Sequence, residues 1–279
     1  MARDLGHARG QGATRHGATV NLPAGHHLVT LADRPDLRSP FGDLNVSAWP
    51  EFMLHDPVAN TLWDHLFEDF ADVQMTLIDP AGELVAGLNS APLAWDGTDD
   101  GLPDGWDDQF ARSVRGVRDG VAPNTLGALQ IVVRADRQGT GLAGVMVGAM
   151  RAAATERGYR ALIACVRPTE KERYPLIPIE RYAAWTRPDD GLPFDPWMRL
   201  HVRLGGRVVR PSPASMRIEG TLAEWREWTG LVFPESGSFL PAGAAAPVEV
   251  DAAADRGVYL DPNVWIVHDL AEAATSTGP

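Results

Sequence analysis

The sequence predicts an α/β fold with a mixed, mostly antiparallel central sheet flanked by helices. Three observations predict it: strand patterns interleave with helical ones, hairpin patterns stand toward both ends, and mid-chain a strand, a glycine-rich loop, a helix and a second strand follow directly on one another. The 279 residues suffice for one large domain with a sizeable core, and apolar (44%) and charged (22%) fractions exclude wholesale disorder, collagen and coiled coil.

In chain order, residues 1–24 and 271–279 are small, polar and aperiodic, and read as flexible tails around a single domain at 25–270. A first strand is expected at Leu28–Leu31, then a turn-rich stretch. A helix follows over Pro57–Phe70, with Asp56 as N-cap and the stripe Val58, Leu62, Leu66, Phe70. Val73–Ile78, the turn Asp79–Gly82 and Leu84–Leu88 read as a hairpin, its second strand running on toward Leu93. Residues 96–124 form an insertion away from the sheet around a helix at Trp106–Arg118.

The middle is the most regular part: strand Leu126–Val133, loop Arg134–Gly141, helix Leu142–Arg157 stopped by Gly158, strand Ala161–Val166. Gly144 and Gly148 make a small-residue face on that helix and imply some close approach. A second insertion, 167–196, is rich in proline with a short helix at Ile179–Trp185. A helix capped by Asp195 with Pro196 at its first position ends at Gly205-Gly206. Strands at Arg207–Arg210 and Ser215–Glu219, a capping-box helix from Thr221 with Glu224, and strands at Val248–Val250 and Val264–Val267 complete the chain.

The net charge is −12, from 37 acidic and 25 basic residues, which argues against nucleic-acid and anionic-membrane partners. Residues 112–217 nevertheless hold 18 of the 25 cations and 9 of the 37 anions, as a site for a phosphorylated ligand would. No apolar run spans a bilayer and no secretory signal is visible; with a single cysteine, Cys165, in an apolar strand, a cytoplasmic location is expected.

The loop Arg134–Gly144 bears on function, because glycines between a strand and a helix bring backbone N–H groups to a pyrophosphate at a helix N-terminus. Gly139-Thr-Gly141-Leu-Ala-Gly144 satisfies the dinucleotide pattern G-x-G-x-x-G, but five residues intervene after Val133, several strands precede the loop, and no acidic residue ends the next strand. Shifted by one, Gln138-Gly-Thr-Gly141-Leu-Ala143 resembles the Q/R-x-x-G-x-G/A acyl-CoA loop of the GNAT superfamily of N-acetyltransferases. The order of elements over about Leu28 to Val267 is similar as well.

The resemblance implies a bulged strand before the loop that splays from its neighbour around an acyl-CoA cleft, with acetyl-CoA or another acyl-CoA as cosubstrate. It implies that the backbone of Ile131, Val132 and Val133 holds pantetheine and that Gln138, Gly139, Thr140, Gly141, Leu142 and Ala143 hold the pyrophosphate, with Arg134, Arg137 and Arg167 near enough to assist. The family's usual glutamate base falls on Gln130, which takes no proton near neutrality, so another base, a water relay or a neutral amine is required. The tyrosine acid of L-Y-x-x-x-G-F falls on His201 in Leu200-His-Val-Arg-Leu-Gly-Gly206; a packed helix histidine is the other reading. Glu51 and His55, in the segment that usually borders the acceptor, are further candidates for the base, against capping or packing roles. Trp49, Trp63, Trp95, Trp197 and Trp265 serve either an aromatic acceptor pocket or the core.

No hydrolase elbow and no metal motif is present, so no metal is expected. The sequence thus points to an N-acetyltransferase acting by direct attack of a small-molecule amine on the thioester, with a homodimer left open. A nicotinamide-dependent oxidoreductase and a non-catalytic acyl-CoA-binding protein stand as alternatives.

Overall fold

The computed structural model describes residues 20–270. The expected tails fall for the most part on residues 1–19 and 271–279, outside this range; Val20 and Leu22 already pack on the main core. Among the described residues nine strands form one sheet. They are β1 (His27–Thr30), β2 (Met75–Ile78), β3 (Leu84–Leu93), β4 (Thr125–Val133), β5 (Ala161–Val166), β6 (Arg207–Gly220), β7 (Gly237–Phe239), β8 (Val248–Asp251) and β9 (Arg256–Asp269).

The first five strands run in chain order and β9 follows β5. Two neighbours share that edge of β9: β5 pairs with residues 264–269 and β8 with residues 256–259, while β6 runs along the opposite edge. The β4–β5 pair is parallel and the other pairings are antiparallel, as the interleaved patterns predict.

Eight helices cover this sheet among the described residues: α1 (Arg38–Ala48), α2 (Pro57–Leu62), α3 (His65–Glu68), α4 (Trp106–Arg118), α5 (Leu142–Glu156), α6 (Ile179–Ala183), α7 (Pro196–Arg203) and α8 (Leu222–Thr229). One face carries α1 and α4. Phe41 of α1 occupies the space a side chain at Gly87 of β3 would need, so α1 lies directly on the strand. The other face carries α5, α6 and α7, with Ala164 and Val166 packed among Ile179, Tyr182 and Met198. Between those two strand residues Cys165 points the opposite way, its Sγ 3.1 Å from Ser215 Oγ, which accepts the backbone N–H of Trp106 on α4. The buried thiol, pushed up to about 12 by desolvation, is inert.

The caps are those the sequence specifies. Asp56 Oδ1 accepts the Ala59 N–H at 2.7 Å, Asp195 accepts from Trp197 and Met198, and Thr221 and Glu224 form a reciprocal capping box.

Three expectations need correction. The helix over Pro57–Phe70 is broken into α2 and α3; the Thr61 hydroxyl bonds back to the Pro57 carbonyl, and Trp63 turns edge-on to Phe110 of α4. The stretch after β1 contains α1, concealed because it buries only Phe41 and Asn45 amid Pro40, Gly42 and Ser47. The strands at Arg207–Arg210 and Ser215–Glu219 are one bulged strand, β6, which tolerates Pro211 and Pro213 because it pairs on one side. The insertion at 96–124 adds no strand to the sheet and carries α4, between the neighbouring strands β3 and β4. Asn124 exchanges hydrogen bonds with the backbone of Trp95, closing the loop, and α4 packs back over β3 and β4.

Candidate functional site

Pairing between β4 and β5 stops at Ala128 with Ala164, while β4 continues to Val133 and β5 to Val166. The register against β3 slips where Asn89 faces Gln130 but Ser90 faces Ala128, leaving Leu129 as the extra residue of a bulge. The side chains of α4 hold that bulge: the Trp106 indole donates to the Leu129 carbonyl at 2.7 Å and Gln109 Nε2 to the Ala128 carbonyl at 2.9 Å. Beyond it the β5-facing edge of β4, including Ile131, Val132 and Val133, has no strand partner, which gives a cleft edged by free backbone groups.

At the mouth of the cleft the chain turns through Gly139 and Gly141, both left-handed (φ +75° and +88°), into the N-terminus of α5. Gly139, Thr140, Gly141, Leu142 and Ala143 have backbone N–H groups with no acceptor among the described residues, so five successive donors meet the positive end of a 15-residue helix. Gln138 Nε2 donates to the Val133 carbonyl at 3.3 Å, and the Thr140 hydroxyl to the Arg137 carbonyl at 2.5 Å, tightening the turn. This donor set suits a pyrophosphate.

All three arginines are engaged by carboxylates. Arg134 is paired with Asp136 and Arg137 with Asp79, and Arg167 is buried on the far side of the cleft, where its Nε donates to Asp261 at 2.9 Å and a terminal nitrogen to the Gly243 carbonyl at 2.7 Å. Gly144 and Gly148 serve no tight packing: the nearest foreign atom to a side chain at Gly144 is Leu200, at 3.6 Å, and nothing approaches Gly148. They line a groove of about 410 Å³ with Val145 and Arg151.

On the α1/α4 face an amide relay surrounds Gln130. The Trp49 indole donates to Gln130 Oε1 at 3.1 Å, Gln130 Nε2 to Asn89 Oδ1 at 2.6 Å, Asn89 Nδ2 to Gln74 Oε1 at 3.0 Å, and Gln74 Nε2 to the Phe70 and Ser90 carbonyls. Each amide is thereby fixed in orientation. Arg167 lies 6.0 Å from the Trp49 ring, so the Trp49–Gln130 contact adjoins the buried Arg167–Asp261 pair, to which Tyr259 adds a hydroxyl at 2.6 Å. Burial works against the Arg167 charge, but Asp261 more than offsets it and the guanidinium is held above its usual range. Asp56 and Asp107 lie on the same face; desolvation raises both carboxyls, to about 6 and about 8.

The three candidate catalytic side chains are not brought together. His201 is 2% exposed, its Nδ1 2.9 Å from His268 Nε2, and burial reinforced by the neighbouring His268 lowers it to about 3. It is a neutral, packed imidazole facing β9, a poor source of a proton for a departing thiolate. His55 stacks on Trp228 of α8 at 4.2 Å and meets Glu51 Oε1 at 3.2 Å, so those two form a pair with each other against α8. Of the five tryptophans, Trp49 reaches Gln130, whereas Trp95 and Trp265 are core residues. Sequence reasoning missed Asn89, Gln74 and the Asp56–Asp107 contact, since no local spacing links residues so far apart; Trp49, one of the five tryptophans considered for an acceptor pocket, stands in extended conformation just after α1.

A scan against protein-family models finds no match. The chain is 34% identical to arginine N-acetyltransferase avaD of Aspergillus versicolor over 281 residues, covering 90% of this chain and 96% of that protein. Among solved structures, the loading GNATL domain of CurA from Lyngbya majuscula superposes with a TM-score of 0.55 at 14% identity, covering 88% of this chain and 98% of that one. The GphF GNAT-like decarboxylase, solved with isobutyryl-CoA, gives 0.51 at 15% identity with the same coverage, and both show a shared fold. The bulged β4, the cleft beside β5, the free N–H groups before α5 and the relation to avaD agree: this chain belongs to the GNAT superfamily of acyl-CoA-dependent N-acetyltransferases.

Proposed function

We propose that the protein transfers an acetyl group from acetyl-CoA to the amine of a small, cationic molecule of the arginine type. The observation that carries the cosubstrate is the run of five unpartnered N–H groups from Gly139 to Ala143, opening on a cleft edged by Ile131 to Val133. The relative's arginine substrate and the acidic balance outside the central segment support the acceptor class. The dinucleotide reading lapses, because a parallel Rossmann sheet is incompatible with the antiparallel pairings of β4 and β9.

In this reading Gly139–Ala143 neutralise the pyrophosphate, and the β4 edge orients the pantetheine so that the thioester lies at the bulge. Acyl-CoA supplies an activated carbonyl and a thiolate leaving group. Gln130, locked between Trp49 and Asn89, fixes that wall of the cleft and takes no proton. The amine is therefore taken up neutral, or loses its proton to water, and attacks the carbonyl; the tetrahedral ammonium so formed releases one N–H proton to water, and collapse breaks the C–S bond and expels the thiolate, which takes a proton from solvent. On the acid side kcat/KM then rises about tenfold per pH unit toward the acceptor's own amine pKa.

A cytoplasmic location fits the single, buried cysteine, Cys165; among the described residues no helix is long and apolar enough to cross a membrane. Thermal unfolding with CoA and acetyl-CoA tests the cosubstrate: saturation raises Tm by several degrees, and no shift with either overturns the assignment. Thiol release across arginine, agmatine, lysine and citrulline tests the acceptor. Citrulline turning over as well as arginine would remove the cationic side chain from recognition.

A further inference from the structure

Asp56 stands before α2 and Asp107 in the first turn of α4, within hydrogen-bonding reach of each other. Each carboxyl has one oxygen engaged by backbone: Asp56 Oδ1 accepts from Ala59 N at 2.7 Å and Asp107 Oδ2 from Arg217 N at 3.1 Å. The remaining oxygens, Asp56 Oδ2 and Asp107 Oδ1, are both buried and have no donor among the described residues. Two bare carboxylate oxygens in contact away from water repel, whereas a carboxylic acid and a carboxylate with one proton between them attract.

We propose that Asp56 and Asp107 share one proton and act as a positioning pair for acetyl transfer, clasping residues 49–56 to α4 so that Trp49 stays on Gln130 beside the bulge. The inference rests on the acyl-transfer reading of that cleft. The local fold makes the link mechanical. Asp56 ends the segment that Trp49 begins, and the residue before Asp107 is Trp106, whose indole holds the Leu129 carbonyl. Loss of the clasp therefore loosens both walls that meet at the thioester end of the cleft.

The surrounding charges do not supply the missing donor. From β9 the pair faces Asp261, a third carboxylate, which is held by Arg167 and by the Tyr259 hydroxyl. From β6 it receives the backbone of Arg217, whose guanidinium turns to Glu219. On α4, Asp108 is taken by Arg112 and Arg115, and ahead of α2 His55 faces Glu51. Among the described residues no three side chains converge to hold a metal ion there.

Both carboxyls sit above their unfolded values, so between about pH 4 and 8 the folded chain binds more protons than the unfolded one, and the pair's contribution to stability declines as pH rises through that window. Above it the second proton leaves and the clasp opens. The enzyme should show a bell-shaped profile, its ascending limb set by the acceptor amine and its descending limb by this pair.

Asparagine reproduces the shared proton permanently. In Asp107→Asn the Oδ1 accepts from Arg217 and the Nδ2 donates to Asp56 Oδ2; Asp56→Asn does the converse. The expected result is that wild-type Tm falls between pH 7 and 9 without any ligand, that each single variant removes that fall, and that Asp107→Asn retains turnover at pH 9 where wild type loses about tenfold per pH unit. The double variant sets two NH2 groups face to face and melts below either single variant. A wild-type Tm flat across pH 7–9, or a double variant as stable as the singles, overturns the shared proton. A loss of about a hundredfold in kcat for Asp107→Asn at every pH with Tm intact overturns the positioning role and makes Asp107 the base. If acetyl-CoA gives no thermal shift while the Tm pattern holds, it is the acyl-transfer reading that fails and the shared proton that stands.

Discussion

The two sides of the β4 cleft are built from different materials. The side that would hold the nucleotide end of the cosubstrate is backbone: two left-handed glycines, five free N–H groups and a helix terminus, all within Gln138–Ala143 and mostly exposed. The side that would face the acceptor is made of side chains from β3, β4 and β9 and from the residues that adjoin α1, β2 and β5, largely buried and bonded to one another. A backbone site requires only that the chain turn correctly, so it tolerates almost any neighbour. A side-chain site is part of the core, and its function and its stability cannot be altered separately.

Arg167 gives the strongest test of that contrast. Its guanidinium is the ion-pair partner of Asp261, which is 0% exposed, and Arg167→Met would leave that carboxylate buried and uncompensated. Denaturant unfolding should show a loss of about 3–5 kcal/mol. A loss below about 1 kcal/mol would mean that this side of the cleft is as loosely coupled to the fold as the loop.

The contact between His201 and His268 extends the same reasoning to the opposite face. Burial holds both imidazoles neutral, at about 3 and about 4. The unfolded chain takes up protons below about pH 6.5. Stability from this pair is therefore present above that pH and is lost as pH falls toward 4, measurable as a falling Tm. His201→Gln should shrink that acid loss. If instead it lowers kcat about a hundredfold with Tm intact, the proton-donor role comes back.

The contrast also explains what could be read in the sequence. Elements whose signal is local came through nearly residue for residue: Trp106–Arg118, Ala161–Val166, the Asp195 cap and the Thr221–Glu224 box. The loop was legible for the same reason, since glycines at fixed offsets are demanded by backbone angles. The amide relay was not. Asn89 and Gln130 are 41 positions apart, and their types do not reveal that a bulge at Leu129 brings them into register. Gln130 could be identified as a missing base from the resemblance, but what replaces a glutamate's role in the wall, Trp49 and Asn89, emerges only once α1 is seen as a helix lying on Gly87.

On the backbone side the expected effects are smaller for the fold and confined to binding. Gly141 adopts φ +88°, where alanine costs about 1–2 kcal/mol. Gly141→Ala should raise the acetyl-CoA KM by roughly tenfold while the Tm of the free protein moves by only a few degrees. A drop in stability comparable to that of Arg167→Met would erase the distinction between the two sides.

The smallest effect belongs to His55. Its ring lies flat on Trp228, 13° from parallel, and its partner Glu51 is 60% exposed. An ion pair so open to water contributes about 0–1 kcal/mol, and the stack adds a part of the area of one ring face. His55→Ala should therefore lower Tm by a degree or two, and salt should remove part of the difference between variant and wild type. The two histidine sites then form a graded series with the Asp56–Asp107 clasp. A titratable group matters to this enzyme in proportion to how completely the fold excludes water from it, and a hundredfold fall in kcat/KM for His55→Ala, with Tm preserved, would break that proportion and return His55 to the acceptor side of the cleft.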